Sequence, residues 1–106
     1  MERVVLDEER NSMSLGPSTL VQQAKEQLSC PLNEEVAILN LKSTLYYSLE
    51  GVGPFIWQQL SEEKTVKEIV VAVVKRFDVD ELQCEADVIA FLNELGAAGL
   101  IQTSDS

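Results

Sequence analysis

The side chains that could do chemistry in this sequence are few, and their spacing is unfavourable for it. There is no histidine in the 106 residues. A Ser-His-Asp or Cys-His nucleophile system is therefore excluded, because the hydroxyl or thiol has no imidazole to take its proton. Cys30 and Cys84 stand far apart with no second cysteine near either. That spacing excludes a zinc site, which needs about four Cys, His or carboxylate ligands, and it reads as two isolated thiols in a reducing compartment. The carboxylate pairs Glu8/Glu9, Glu34/Glu35 and Glu62/Glu63 are adjacent in sequence, so on turns their side chains diverge and read as solvated loops. Gly51-Val52-Gly53 lacks the third glycine and the βαβ setting of a dinucleotide fingerprint. No catalytic residue, metal ligand or cofactor site is expected, and the chain reads as a binding surface without a reaction centre.

The residues that stand out instead lie in TLYYSLEGVGPFIWQQL, from Thr44 to Leu60. Two adjacent tyrosines on an extended segment precede a glycine-rich turn and a short helix holding the single tryptophan. The elements that position this stretch can be read from hydropathy. Val36 to Leu41 has apolar residues on both faces and reads as a central or covered strand. Lys42-Ser43-Thr44 is a tight turn, and Leu45 to Leu49 is a second strand with Leu45, Tyr47 and Leu49 on one face and Tyr46 and Ser48 on the other. Leu20 to Leu28 fits either a helix or a strand. Read as a strand, with Ser29 to Glu34 as a turn, it completes a three-stranded antiparallel meander.

Three helices are expected after the sheet. Val52, Phe55, Ile56 and Leu60 recur at helical spacing, with Trp57 beside the stripe, and Ser61 to Lys64 ends that helix. Thr65 and Glu68 have capping-box spacing at the start of the second, whose stripe is Val66, Ile69, Val70, Val73, Val74 and Phe77. Its β-branched residues have poor helix propensity, so packing must hold it in place. Asp80 caps a third helix from Glu81 to about Ala98, closed by Gly99. Val88, Phe91, Leu92 and Leu95 form its core stripe. Leu82, Ala86, Ile89 and Ala90 widen the apolar arc beyond it, which means either cover by neighbouring helices or a second surface to be filled.

Size and charge bound the function further. The length suits one domain, from about residue 18 to residue 103, with residues 1–17 as an N-terminal extension in which Arg3 to Leu6 could form a short strand. The net charge is −10. Lys and Arg stop at Arg76, and seven carboxylates follow, a distribution that repels phosphate backbones and argues against nucleic acid. No apolar run is long enough to span a membrane and no secretory signal precedes the domain, so a cytoplasmic location is expected.

The ordered set VAILNLKSTLYYSLEGVGPFIWQQL, TVKEIVVAVVKRFDVD and EADVIAFLNELGAAGLI resembles the PqqD family. These are the small peptide chaperones of pyrroloquinoline-quinone biosynthesis and their relatives, the recognition elements of ribosomally made, post-translationally modified peptides (RiPPs). The resemblance covers about Leu20 to Ile101 and rests on the Leu-Tyr-Tyr-x-Leu strand, Gly53 with Ile56 and Trp57, Thr65 to Ile69, Asp87-Val88 with Phe91-Leu92, and Gly99 to Ile101.

The resemblance implies an α+β, winged-helix-like fold with a three-stranded antiparallel sheet followed by three helices. It also implies a function: binding the leader of a precursor peptide as an added strand and delivering it to a modifying enzyme or leader peptidase, in one branch as the stand-alone recognition subunit of a lasso-peptide pathway. The peptide-binding residues would be Leu45, Tyr46, Tyr47, Ser48 and Leu49 on the strand and Asp87, Val88, Phe91, Leu92 and Leu95 on the third helix. Tyr46 and Ser48 would flank the edge, and Leu45, Tyr47 and Leu49 would contribute to floor or core. The acidic third helix favours a neutral or basic leader. Two other readings remain: a winged-helix DNA-binding protein, which would need a basic recognition helix in place of the acidic one here, and an adaptor domain that binds an enzyme surface.

Overall fold

The computed structural model describes residues 15–104; the expected Arg3 to Leu6 strand lies outside them. The elements run β1 (Leu20–Gln23), β2 (Gln27–Leu32), β3 (Glu35–Asn40), β4 (Tyr46–Leu49), α1 (Gly53–Gln59), β5 (Lys64–Thr65), α2 (Val66–Phe77), α3 (Glu81–Ala97) and β6 (Ile101–Ser104). They form the α+β architecture expected, with one addition. The strands make two antiparallel three-stranded sheets, β2-β3-β4 and β5-β1-β6.

The meander exists, but its first strand is Gln27–Leu32 rather than Leu20–Leu28. The chain breaks at Ala24 to Glu26, where the Gln23 N–H donates to the Leu60 carbonyl and the Ala24 N–H to that of Leu100. Alternation across LVQQAKEQL put Leu20 and Leu28 on one buried face. Instead Val21 is fully buried and Leu28 is 62% exposed. The expected turn from Ser29 to Glu34 shrinks to Asn33-Glu34, with Asn33 at φ +56°. Pro31 continues β2 because that strand lies at an edge, where a missing N–H breaks no ladder bond. The second sheet escaped the sequence reading: β5 and β6 are short, and both depend on β1 as their partner.

The helices follow their capping signals. In α2 the Thr65 hydroxyl accepts from the Glu68 N–H and the Glu68 carboxylate accepts from the Thr65 N–H, closing the capping box. These bonds hold the Glu68 carboxyl below the usual carboxylate range, the Thr65 N–H being the main cause. Asp80 accepts from the Gln83 N–H at the start of α3. Beyond the C-cap Ala98, Gly99 takes φ +74°, in the left-handed region where glycine is unstrained. Trp57, expected beside the α1 stripe, is buried, while Val52 is exposed. Inward residues of β3 and β4 (Val36, Ile38, Leu49) pack with Ile56 of α1 and its C-cap Leu60, Ile69 and Val73 of α2, and Leu92 and Leu95 of α3.

Asn40 is one of two buried polar residues among the described residues, and it links sheet to helix. Its Nδ2 donates to the Ala98 carbonyl at 2.7 Å, and its Oδ1 accepts from the Lys42 and Ser43 N–H groups at 2.9 and 3.2 Å. A Cβ at Gly99 would lie 2.9 Å from Asn40 Nδ2. We expect Asn40→Ala to cost about 2–3 kcal/mol by stranding these partners. Gly99→Ala should cost about 1–2 kcal/mol through its backbone conformation and the clash. Urea denaturation followed by circular dichroism reads both as lower midpoints at constant slope.

Candidate peptide-binding groove

Antiparallel ladders alternate between pairs that exchange hydrogen bonds and pairs that do not, so register decides which backbone groups point outward. The Asn40 N–H donates to the Leu45 carbonyl, and β3 and β4 pair Ile38 with Tyr47 and Val36 with Leu49. Tyr47 and Leu49 therefore spend their backbone groups on β3. The N–H and C=O groups of Tyr46 and Ser48 face away, and among the described residues β4 pairs with no other strand. The opposite edge of this sheet differs. The Leu41 N–H donates to the Glu26 carbonyl, which by the same alternation turns Gln27, Ser29 and Pro31 outward, and Pro31 has no N–H to offer.

A groove of about 410 Å³ begins where β4 ends. Its floor is apolar, from Ile56 of α1, Val73 and Phe77 of α2, and Val88 and Phe91 of α3. Val52 and Val79, exposed apolar residues outside the helices, stand at its margin. Gly53 joins strand to groove, since a Cβ there would sit 3.2 Å from Leu49 Cβ and 3.4 Å from Phe91 Cζ. Any larger residue would require Leu49 or Phe91 to give by a few tenths of an ångström, whereas glycine lets α1 start this close to both. Phe55 and Phe77 meet edge to face at 5.4 Å, bracing the α2 end.

The expected site residues divide among several environments. Tyr46 is 65% exposed on the outer face of β4, and Ser48 is half-buried, with its hydroxyl 3.4 Å from Glu35 Oε1. Tyr47 is half-buried on the inner face, and Leu49 is core. Leu45 departs from the expected floor or core position: it precedes the strand, past the end of the packed face, and is 57% exposed. On α3, Asp87, Val88 and Phe91 line the groove, whereas Leu92 and Leu95 are fully buried core that does not reach it.

The wide apolar arc of α3 has a different meaning from the one its periodicity suggested. Leu82, Ala86 and Ala90 face solvent and none of them lines the groove. The groove side of α3 instead runs through Gln83, Cys84, Asp87, Val88 and Phe91. Of the lining residues, sequence reasoning assigned only Asp87, Val88 and Phe91 to the site and missed the rest, Gly53, Val79, Asp80, Gln83 and Cys84 among them; Val79, an isolated apolar residue between Asp78 and Asp80, was one available signal.

Nothing in the groove is arranged for bond chemistry. Cys84 is buried with its Sγ 4.0 Å from the Val70 carbonyl. Burial, reinforced by Asp87 and Glu81, pushes its thiol pKa up and keeps it protonated. Among the described residues no cluster of His, Cys, Asp or Glu could hold a metal ion, and no helix is long and apolar enough to cross a membrane. Cys30 is exposed and unpaired. Ellman's reagent should accordingly titrate one thiol per native chain at once and the second only after denaturation. Reaction of both thiols at similar rates in the native protein would contradict the burial of Cys84.

Comparison with known proteins agrees with this geometry. One solved structure, TbiB1 in complex with the TbiA(beta) leader peptide, is 32% identical over 76% of this chain and 94% of that one, with a TM-score of 0.73. A lasso peptide synthetase B1 complexed with its leader peptide shares the fold at a TM-score of 0.69, over 77% of this chain and 96% of that one, at 17% identity. No curated protein matches. Residues 35–101, from β3 through the first residue of β6, match the family of the coenzyme PQQ synthesis protein D, and the chain belongs to this PqqD family.

Proposed function

We propose that this protein binds the leader segment of a ribosomally made precursor peptide as an added strand on β4, and delivers it to a modifying enzyme or leader peptidase. The observation that carries this reading is the unpaired Tyr46–Ser48 edge opening into the apolar groove at Gly53. An extended peptide gains main-chain hydrogen bonds there whatever its sequence, and side chains directed into the groove supply selectivity. The leader complexes of TbiB1 and the lasso peptide synthetase B1 support it. The binding unit spans residues 18–103 and acts without catalysis of its own, as a recognition unit of a lasso-type pathway. Its two unpaired cysteines fit a cytoplasmic setting.

A winged-helix DNA-binding role has nothing to recommend it, because α3 carries Glu81, Glu85, Asp87 and Glu94 and no Lys or Arg. An adaptor that binds only an enzyme surface would have no use for an open edge beside a groove.

Proline at an outward-facing edge position removes a donor without breaking the β3–β4 ladder. Ser48→Pro should therefore keep the far-ultraviolet dichroism of the fold yet weaken binding of the fluorescein-labelled leader encoded beside the gene at least about tenfold in fluorescence anisotropy, the loss of one to two hydrogen bonds and their alignment. Ser29→Pro, on the opposite edge, should bind like the parent. Equal losses in both variants would reject β4 as the docking strand.

A further inference from the structure

The groove's rim has a charge pattern that its floor does not require. Asp80, the N-cap of α3, and Asp87 on α3 border it, and Glu50 borders it just past β4. Asp80 Oδ2 accepts from the Gln83 N–H and Asp87 Oδ1 accepts from Gln83 Nε2, each at 3.0 Å. Gln83 thus steadies both carboxylates through one oxygen apiece. Arg76, near the end of α2, is stacked over the Phe77 ring at 5.3 Å. Among the described residues no lysine or arginine lines the groove, and both Asp80 and Asp87 are exposed.

We infer that the groove selects a leader segment in which a large apolar side chain is flanked by lysine or arginine, with Asp80 and Asp87 as the residues that read the charge. The inference rests on the leader-binding reading and adds to it the chemistry of the ligand. A volume of about 410 Å³ over an apolar floor takes a leucine-sized or aromatic anchor. An extended peptide places the residues two positions to either side of that anchor on the same face, over the rim, because side chains of a strand alternate between faces. A cation there meets two carboxylates held in place, whereas an acidic neighbour meets like charge, so the same rim attracts one leader class and repels the other.

Asp80→Asn/Asp87→Asn separates this role from folding. Asparagine still caps α3, and at position 87 it still accepts from Gln83. Two probes suffice in anisotropy titrations of the full chain: the fluorescein-labelled leader of the neighbouring precursor, and the same peptide with every Lys and Arg changed to Gln. The double variant should bind the native leader roughly five- to tenfold more weakly at about 50 mM salt, a loss that shrinks as salt screens the exposed pairs. Parent and variant should bind the Gln-substituted peptide equally. An equal loss for both peptides, no loss for either, or tight parent binding to a native leader that carries no Lys or Arg overturns the inference. If Ser48→Pro abolishes binding while the charge changes do nothing, leader binding stands and charge reading alone falls; if neither peptide binds the parent protein, both fall.

Discussion

The geometry of the peptide-facing surface depends on Asn40. A polar side chain at an inward position of a central strand is costly to bury unless its groups are paired, and here Nδ2 and Oδ1 both find backbone partners. Those partners lie at two places: the turn that launches β4 and the C-cap residue of α3. One side chain therefore fixes where β4 starts and where α3 ends. Gly99 follows from it, since no Cβ fits beside Asn40 Nδ2. At the opposite end of β4, Gly53 performs the complementary task by letting Leu49 and Phe91 approach with α1 between them. The strand and the helix are pinned at both ends of the interval that a peptide would occupy.

The two sheets divide the remaining work. The β5-β1-β6 sheet ties the start of the domain to the segments before α2 and after α3, so the helices are closed by hydrogen-bonded strands and the β2-β3-β4 sheet is left to project. Among the described residues neither outer strand of that sheet has a further partner, and open edges invite pairing with other chains. One is blunted by Pro31 at an outward position. The other keeps its donors and acceptors, with no proline between Leu45 and Leu49. The asymmetry has a clear physical reading, because protection was placed on one edge and withheld from the other.

Much of this was legible in the sequence where a local rule governed. The Thr65/Glu68 box, the Asp80 cap and Gly99 each satisfy orphan backbone groups within a few residues, so their identities alone locate the helices. The β3–β4 hairpin was legible because its alternation and tight turn agree. Leu20 to Leu32 was not, because β1 and β2 join different sheets and the break between them is set by contacts with Leu60 and Leu100, far away in sequence. The same limit explains α3. Periodicity marks an apolar arc but not which side is covered, and the groove falls on the side of Cys84 and Asp87 while Leu82 is 78% exposed. Burial of Leu92 and Leu95 is likewise decided by α2 and the sheet together.

The division between edge and groove follows from magnitudes. Tyr46 and Ser48 turn two N–H and two C=O groups outward, and at about 0.5–1.5 kcal/mol net for each hydrogen bond the ladder supplies only a few kcal/mol. Immobilising a peptide costs about 4–15 kcal/mol in lost translational and rotational freedom before its own ordering is counted. The edge therefore cannot hold a leader by itself. Burying one large apolar side chain in the groove adds about 1.5–3 kcal/mol, so further apolar and charged contacts beside it must supply the rest. Because the ladder is indifferent to sequence, these side-chain contacts decide which peptide stays bound. On the proposed binding mode, selectivity would reside where α1, α2 and α3 converge on Phe91, and the strand would contribute direction and register.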